Sequence, residues 1–140
     1  MVKQLNIAGQ IVPNEWLRVV VRGDCMRPVL ASGDRVQVVK KRFYLPGDIL
    51  VFHGGAQPMV AHRFLGYVLT LRGWRVMTKA DHGDRPDGLV QLQKIIGKIT
   101  RIAPYTHPLA ISPRKRFRAV RDWFGFTSEL LMRTLFSGCQ

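Results

Sequence analysis

Cys25 stands in the hexapeptide GDCMRP, residues 23–28, directly after an apolar run, LRVVV at 17–21, and before a second strand signal that follows Ser32-Gly33-Asp34. A thiol carried on a tight turn bounded by Gly and Pro, where a strand ends, is held rigidly at the mouth of a scaffold. Nucleophiles are often found in such places. The same residue type is also a common small buried hydrophobe. For attack on a carbonyl the thiol must lose its proton; a neighbouring imidazole can take it, and a carboxylate can hold that imidazole in the useful tautomer. An imidazolium beside the sulfur would also favour the thiolate and depress its pKa. Acidic groups concentrate in KADHGDRPDG, residues 79–88, where Asp81, His82, Asp84 and Asp87 lie in the most acidic stretch of a basic chain. By composition this stretch is a loop. His53, His82 and His107 have no His-x-x-x-His or Cys–His ligand spacing, and the two cysteines, Cys25 and Cys139, make neither a zinc pattern nor a disulfide framework. No metal or cofactor is expected.

The elements that would position these groups are mostly strands. A short strand is expected around Gln4–Ile7 and another at Leu17–Val21. The segment Asp34–Lys40 alternates, with Val36 and Val38 on one face. Asp48–His53 reads as a compact apolar strand entered through the turn Leu45-Pro46-Gly47. Met59–Leu71 is long enough for one bent strand or two, and Trp74–Thr78 returns after Gly73 as a hairpin. Ile95–Ile102 closes the β part, with a bulge expected at Gly97. After Ser112-Pro113 the periodicity changes to that of one helix over Arg114–Phe136, capped by Ser112 and stopped by Gly138. Its polar stripe is read as Arg118, Asp122, Gly125, Glu129 and Arg133. Its broad apolar face is read as Phe117, Val120, Trp123, Phe124, Leu130, Leu131 and Leu135.

At 140 residues and 46% hydrophobic, the chain is long and apolar enough for one folded core and is not a disordered tail. The formal net charge of +13 implies attraction to nucleic acid, anionic membrane or an acidic partner without choosing among them. The N-terminus has no apolar stretch of signal-peptide length, and no window reaches the roughly 18 apolar residues of a span, so a cytoplasmic location is expected.

Taken in order, GDCMRP, SGDRVQV, YLPGDILVF, AHRFLG, TKADHGDRPDG and IIGKITRI resemble the motifs of the signal peptidase I family, in its archaeal and endoplasmic-reticulum branch, over roughly residues 17–103. The family carries a Gly-x-Ser-Met-x-Pro box, a Gly-Asp-hydrophobic strand, a His-Arg pair, a Thr-Lys-Gly-Asp loop with a further Asp, and a closing Gly-Lys strand. The resemblance implies a mainly β fold: a twisted, signal-peptidase- and LexA-like β assembly over 1–111 with one C-terminal basic amphipathic helix over 112–140. It also implies that Cys25 occupies the place of the nucleophilic serine, His62 that of the general base, and Asp81 and Asp87 those of two acids, one supporting the histidine. The backbone N–H of Cys25 would be one oxyanion donor. Met26, Pro28 and Gly23 complete the box that shapes the substrate cleft. The chain departs from the family in lacking the serine, in Ala80 where the loop has Gly, and in lacking the N-terminal anchor. Cys25 therefore reads as the nucleophile of a cysteine variant, as a laboratory replacement of serine, or as a relic in a protein that no longer cleaves.

The activity implied is endopeptidase cleavage of a leader or processing site from a peptide or protein. The alternative is a non-catalytic module that holds a peptide or a membrane through the same cleft. Arg114, Lys115, Arg116, Arg118 and Arg121 early in the helix suit a membrane interface, while its apolar face could equally dock on the β body, a second subunit or a partner protein. Nucleic-acid binding is disfavoured, because no helix-turn-helix, stacking platform or finger spacing accompanies the charge. Arg63, next to the histidine, either pairs with a loop carboxylate or lies solvated on its strand.

Overall fold

The computed structural model describes residues 16–54, 59–104 and 107–136. The strand expected at Gln4–Ile7 and the helix stop at Gly138 lie outside them. The described residues form seven strands: β1 (Trp16–Val20), β2 (Arg35–Val39), β3 (Ile49–Phe52), β4 (Val60–Thr70), β5 (Gly73–Lys79), β6 (Val90–Gln91) and β7 (Ile95–Ile102). They make one antiparallel sheet in the order β1-β2-β7-β3-β4-β5-β6, and a helix, α1 (Pro113–Phe136), follows. The chain is thus mainly β with one C-terminal helix. Met59–Leu71 resolves into one strand rather than two, and β7 has the expected bounds. The two-residue β6 and the 3-10 turn at Leu92–Lys94 were not expected; they are too short to leave a period in the sequence.

Side-chain alternation explains how one sheet serves several cores. All of β3 is buried. Ile49 and Val51 enter a core with Met26, Leu30, Val36, Val38 and Ile96, whereas Leu50 and Phe52 enter another with Tyr44, Phe64 and Val76. β4 divides in the same way: Phe64 joins the second core, and Leu65 joins a third with Val68, Met77 and Ala119 of α1. Each such side chain contributes about 1.5–3 kcal/mol by leaving water. The bulge expected at Gly97 falls beside it, at Ile96. Val51 pairs with Gly97 but Phe52 pairs with Ile95, and a Cβ on Gly97 would come within 2.6 Å of the Val39 carbonyl oxygen.

α1 begins as its sequence predicts, with Pro113 in the first turn and the Ser112 hydroxyl accepting the Lys115 amide at 3.3 Å. It docks differently from its hydrophobic pattern. Ala119 is its buried residue, and Trp123 and Phe126 pack partly against the third core. The Trp123 indole donates to the Tyr67 carbonyl at 3.1 Å and lies over Gly66, where a Cβ would sit 2.4 Å from the ring. Asp122, expected on the solvent stripe, turns toward the sheet and pairs with Lys79 at 3.2 Å. Phe117, Phe124, Leu130, Leu131 and Leu135 remain exposed. The rotation follows from close approach: the glycine admits the indole, and the charge tethers fix the helix around it.

Candidate active site

The segment carrying Cys25 is fastened at both ends. Val21 donates its amide to the Asp34 carbonyl and Gly33 to that of Val21, each at 2.8 Å, so the segment leaves and re-enters the sheet between β1 and β2. Gly23 enters it with φ +88°, a left-handed conformation that side chains disfavour. Met26 anchors it from below, only 2% exposed in the first core. This corrects the expectation that Met26 lines a substrate cleft: its side chain is core, in one cluster with Leu17 of β1, Val36 and Val38 of β2, Ile49 and Val51 of β3 and Ile96 and Ile99 of β7. Pro28 does line an open cavity.

Cys25 itself is exposed, and its thiol points at the Ala61 carbonyl at 3.9 Å, one residue before His62 on β4. Residues 60–62 of β4 pair with β3, while β5 joins β4 only from Arg63 onward, so the thiol lies at a stretch of β4 that β5 leaves open. The loop after β5 closes the other side, with the His82 amide donating to the Cys25 carbonyl at 3.4 Å. Among the described residues no backbone carbonyl accepts the Cys25 amide.

His62 and the two acids separate cleanly. The His62 Nδ1 is 2.5 Å from Asp87 Oδ2, and the Thr78 hydroxyl donates to that same oxygen at 2.9 Å. Because a carboxylate only accepts, Nδ1 carries the hydrogen, and in the neutral ring Nε2 is then the free base. The ring also meets the edge of Phe52 at a centroid distance of 6.0 Å. Asp81, the other acid expected to support the histidine, is instead held by Arg63 through two contacts of 2.6 Å, and Arg63 donates a further hydrogen bond to the Gly47 carbonyl at 2.6 Å. The pairing left open for Arg63 is therefore made, and it ties the acidic loop to β4 rather than touching the imidazole. Thr78 was missed by sequence reading; it stands in the Thr-Lys motif, but its contact with Asp87 depends on how the loop folds back. Among the described residues no cluster of His, Cys, Asp and Glu could hold a metal ion.

The electrostatics of the thiol differ from the expected thiolate–imidazolium pair. Although the residue is exposed as a whole, partial desolvation of its thiol pushes the Cys25 pKa above the ordinary thiol value, and the Asp87, Asp24 and Asp81 carboxylates add to this; its own backbone N–H acts in the opposite direction but does not prevail. The raised pKa favours the acid form, so any reaction through the sulfur would call for a base. Alkylation of Cys25 by iodoacetamide is accordingly expected to rise with pH through and beyond the range of a small-molecule thiol. Asp87→Asn, which removes one of the raising charges, is expected to move that profile to lower pH. Superimposable profiles for the two proteins would contradict this electrostatic account.

Comparison with protein-family models, with curated proteins and with solved structures returned no match.

Proposed function

We propose that this protein is a signal-peptidase-like endopeptidase in which Cys25 attacks the scissile carbonyl, His62 takes and returns the proton, and Asp87 holds the imidazole. The observation that carries the reading is the contact of His62 Nδ1 with Asp87, on the strand whose preceding residue the Cys25 thiol meets. The Cys25 amide, which no backbone carbonyl accepts among the described residues, would supply an oxyanion donor of the kind that acyl transfer needs. The open stretch of β4 suits a substrate added as an extended strand beside the nucleophile. The finer fold assignment, a signal-peptidase- and LexA-like β assembly, belongs to the same proposal.

A peptidyl electrophile followed by intact mass spectrometry tests it. Wild-type protein is expected to gain one adduct at Cys25, and His62→Ala to react far more slowly. Equal, sluggish labelling of both would leave a thiol without an activating base and favour the non-catalytic peptide binder.

Contact of α1 with an anionic lipid surface is a further part of the proposal. It is supported by Phe117, Phe124, Met132, Leu135 and Phe136 exposed on a helix that also carries Arg114 and Arg121. No described helix is long and apolar enough to cross a membrane. Co-sedimentation with phosphatidylserine vesicles is expected to fall several-fold for a Phe117→Ser/Phe124→Ser variant, and unchanged pelleting would remove the contact.

A further inference from the structure

Beside the nucleophile lies a cavity of about 300 Å³, bounded by the Cys25 segment, β4, the loop after β5 and the first turns of α1. Its lining holds five Lys or Arg side chains and two carboxylates. Both carboxylates are committed within the protein: Asp81 to Arg63 at 2.6 Å and Asp122 to Lys79 at 3.2 Å. Arg27 is shared with Asp24, an exposed pair screened by water. Lys115 and Arg118 pair with no carboxylate among the described residues. These two cations stand three residues apart on one helix face, where like charges repel. They also sit in the first turns, where positive charge opposes the helix dipole. Local helix energetics would remove them, so an anion brought from outside is the natural offset.

The position of the cavity says what carries that anion. Arg27 and Pro28, in its wall, follow Cys25 by two and three residues, and His82, also in the wall, donates its amide to the Cys25 carbonyl. A molecule whose carbonyl lies at the sulfur therefore has its neighbouring residues within reach of the cavity. Its volume is at the small end of ligand sites and suits a side chain rather than a cofactor.

We propose that this cavity binds a carboxylate of the peptide substrate through Lys115 and Arg118, so that the enzyme selects peptides with an acidic group close to the cleaved bond. The proposal rests on the peptidase reading for the direction of the peptide, but its test does not depend on cleavage. The carboxylate is either an Asp or Glu side chain or the peptide's own C-terminus.

The experiment uses full-length Cys25→Ala protein and a set of decapeptides, acetylated at the N-terminus, that carry Asp or Glu or the isosteric Asn or Gln at each position, with free or amidated C-termini. Binding is read by fluorescence anisotropy. Acidic peptides are expected to bind about 10–100-fold more tightly than their amide counterparts, the range for hydrogen bonds to a charged group. The preference is expected to vanish in Lys115→Gln/Arg118→Gln and to invert toward Lys- or Arg-bearing peptides in Lys115→Glu/Arg118→Glu. Circular dichroism of each variant verifies folding. If the free C-terminus alone accounts for the gain, the carboxylate is terminal; if an internal position does, it is a side chain. No discrimination between acid and amide, or a preference that survives the charge reversal in folded protein, would overturn the proposal. Cleavage of neutral peptides by the wild type would then still uphold the peptidase reading, whereas acid-selective binding without any cleaved product would sink that reading and leave the cavity's assignment standing.

Discussion

His62→Ala is expected to lower kcat/KM for peptide cleavage by about 10²–10⁴-fold, the range of a positioned general base. The loss should be large here because partial desolvation and the nearby Asp87, Asp24 and Asp81 charges raise the Cys25 pKa, which disfavours a standing thiolate that could substitute for the base. Asp87→Asn should be nearly as damaging although it preserves shape. An amide in that place can donate to Nδ1, which would move the ring hydrogen to Nε2 and leave no lone pair to take the thiol proton; the same exchange of tautomers costs about 10⁴-fold in a serine protease triad. The damage should not multiply, because the ring and the carboxylate act as one unit. The double variant is thus expected to match the worse of the two single ones. Steady-state cleavage of a peptide substrate, with melting temperatures as a control for folding, checks all three. Wild-type rates in His62→Ala would end the mechanism, whatever the geometry of the acid.

The second large effect is on stability. Asp48 is only 3% exposed. Its carboxylate accepts from the Leu45 amide at 3.0 Å, Lys98 at 3.1 Å and Arg116 at 3.2 Å, joining the turn before β3, strand β7 and helix α1. Removing one member of a buried pair costs about 3–5 kcal/mol, because the partners lose their counter-charge. Lys98 and Arg116 are 24% and 35% exposed and recover some hydration, so Asp48→Ala is expected near the lower end, about 3 kcal/mol. For a chain of this size that is a fall of roughly 10 °C in Tm. Lys98→Met should cost much less, since Arg116 and the Leu45 amide still satisfy the carboxylate. Thermal unfolding followed by far-ultraviolet circular dichroism reads both; equal Tm values for wild type and Asp48→Ala would mean that the network does not join these elements energetically.

The apolar periods located most strands because each of them spends its side chains on one or both faces of a buried sheet. Ile95–Ile102 was legible to the residue, and Gly97 pointed to a bulge within one residue of its place, although the glycine itself answers to the close approach of the Val39 carbonyl. The helix was legible as a helix, from Ser112-Pro113 and the periodicity after it. Which of its faces docks was not. Gly66 admits Trp123, and Gly66 is far away in sequence, so hydrophobicity alone overestimated the buried face and left Asp122 on the wrong side. Met26 shows the same limit. A methionine beside a candidate nucleophile is equally suited to cleft and core, and only its clustering with side chains of β1, β2, β3 and β7 decides for the core.

The site divides along the same line. Cys25 was marked by its place on a Gly- and Pro-bounded turn, and the resemblance of the ordered motifs to those of signal peptidases added His62, Asp81 and Asp87 as the groups worth following. Which acid meets the imidazole, which is taken by Arg63, and whether the thiol is eased toward its anion or held back from it depend on distances of a few ångströms between segments some twenty to sixty residues apart. Those distances come from strand register and loop closure. Local sequence carries the first ingredient of a site, its functional groups; the second, their electrostatic relation to one another, comes into being only when the sheet brings β4, the loop after β5 and the Cys25 segment together.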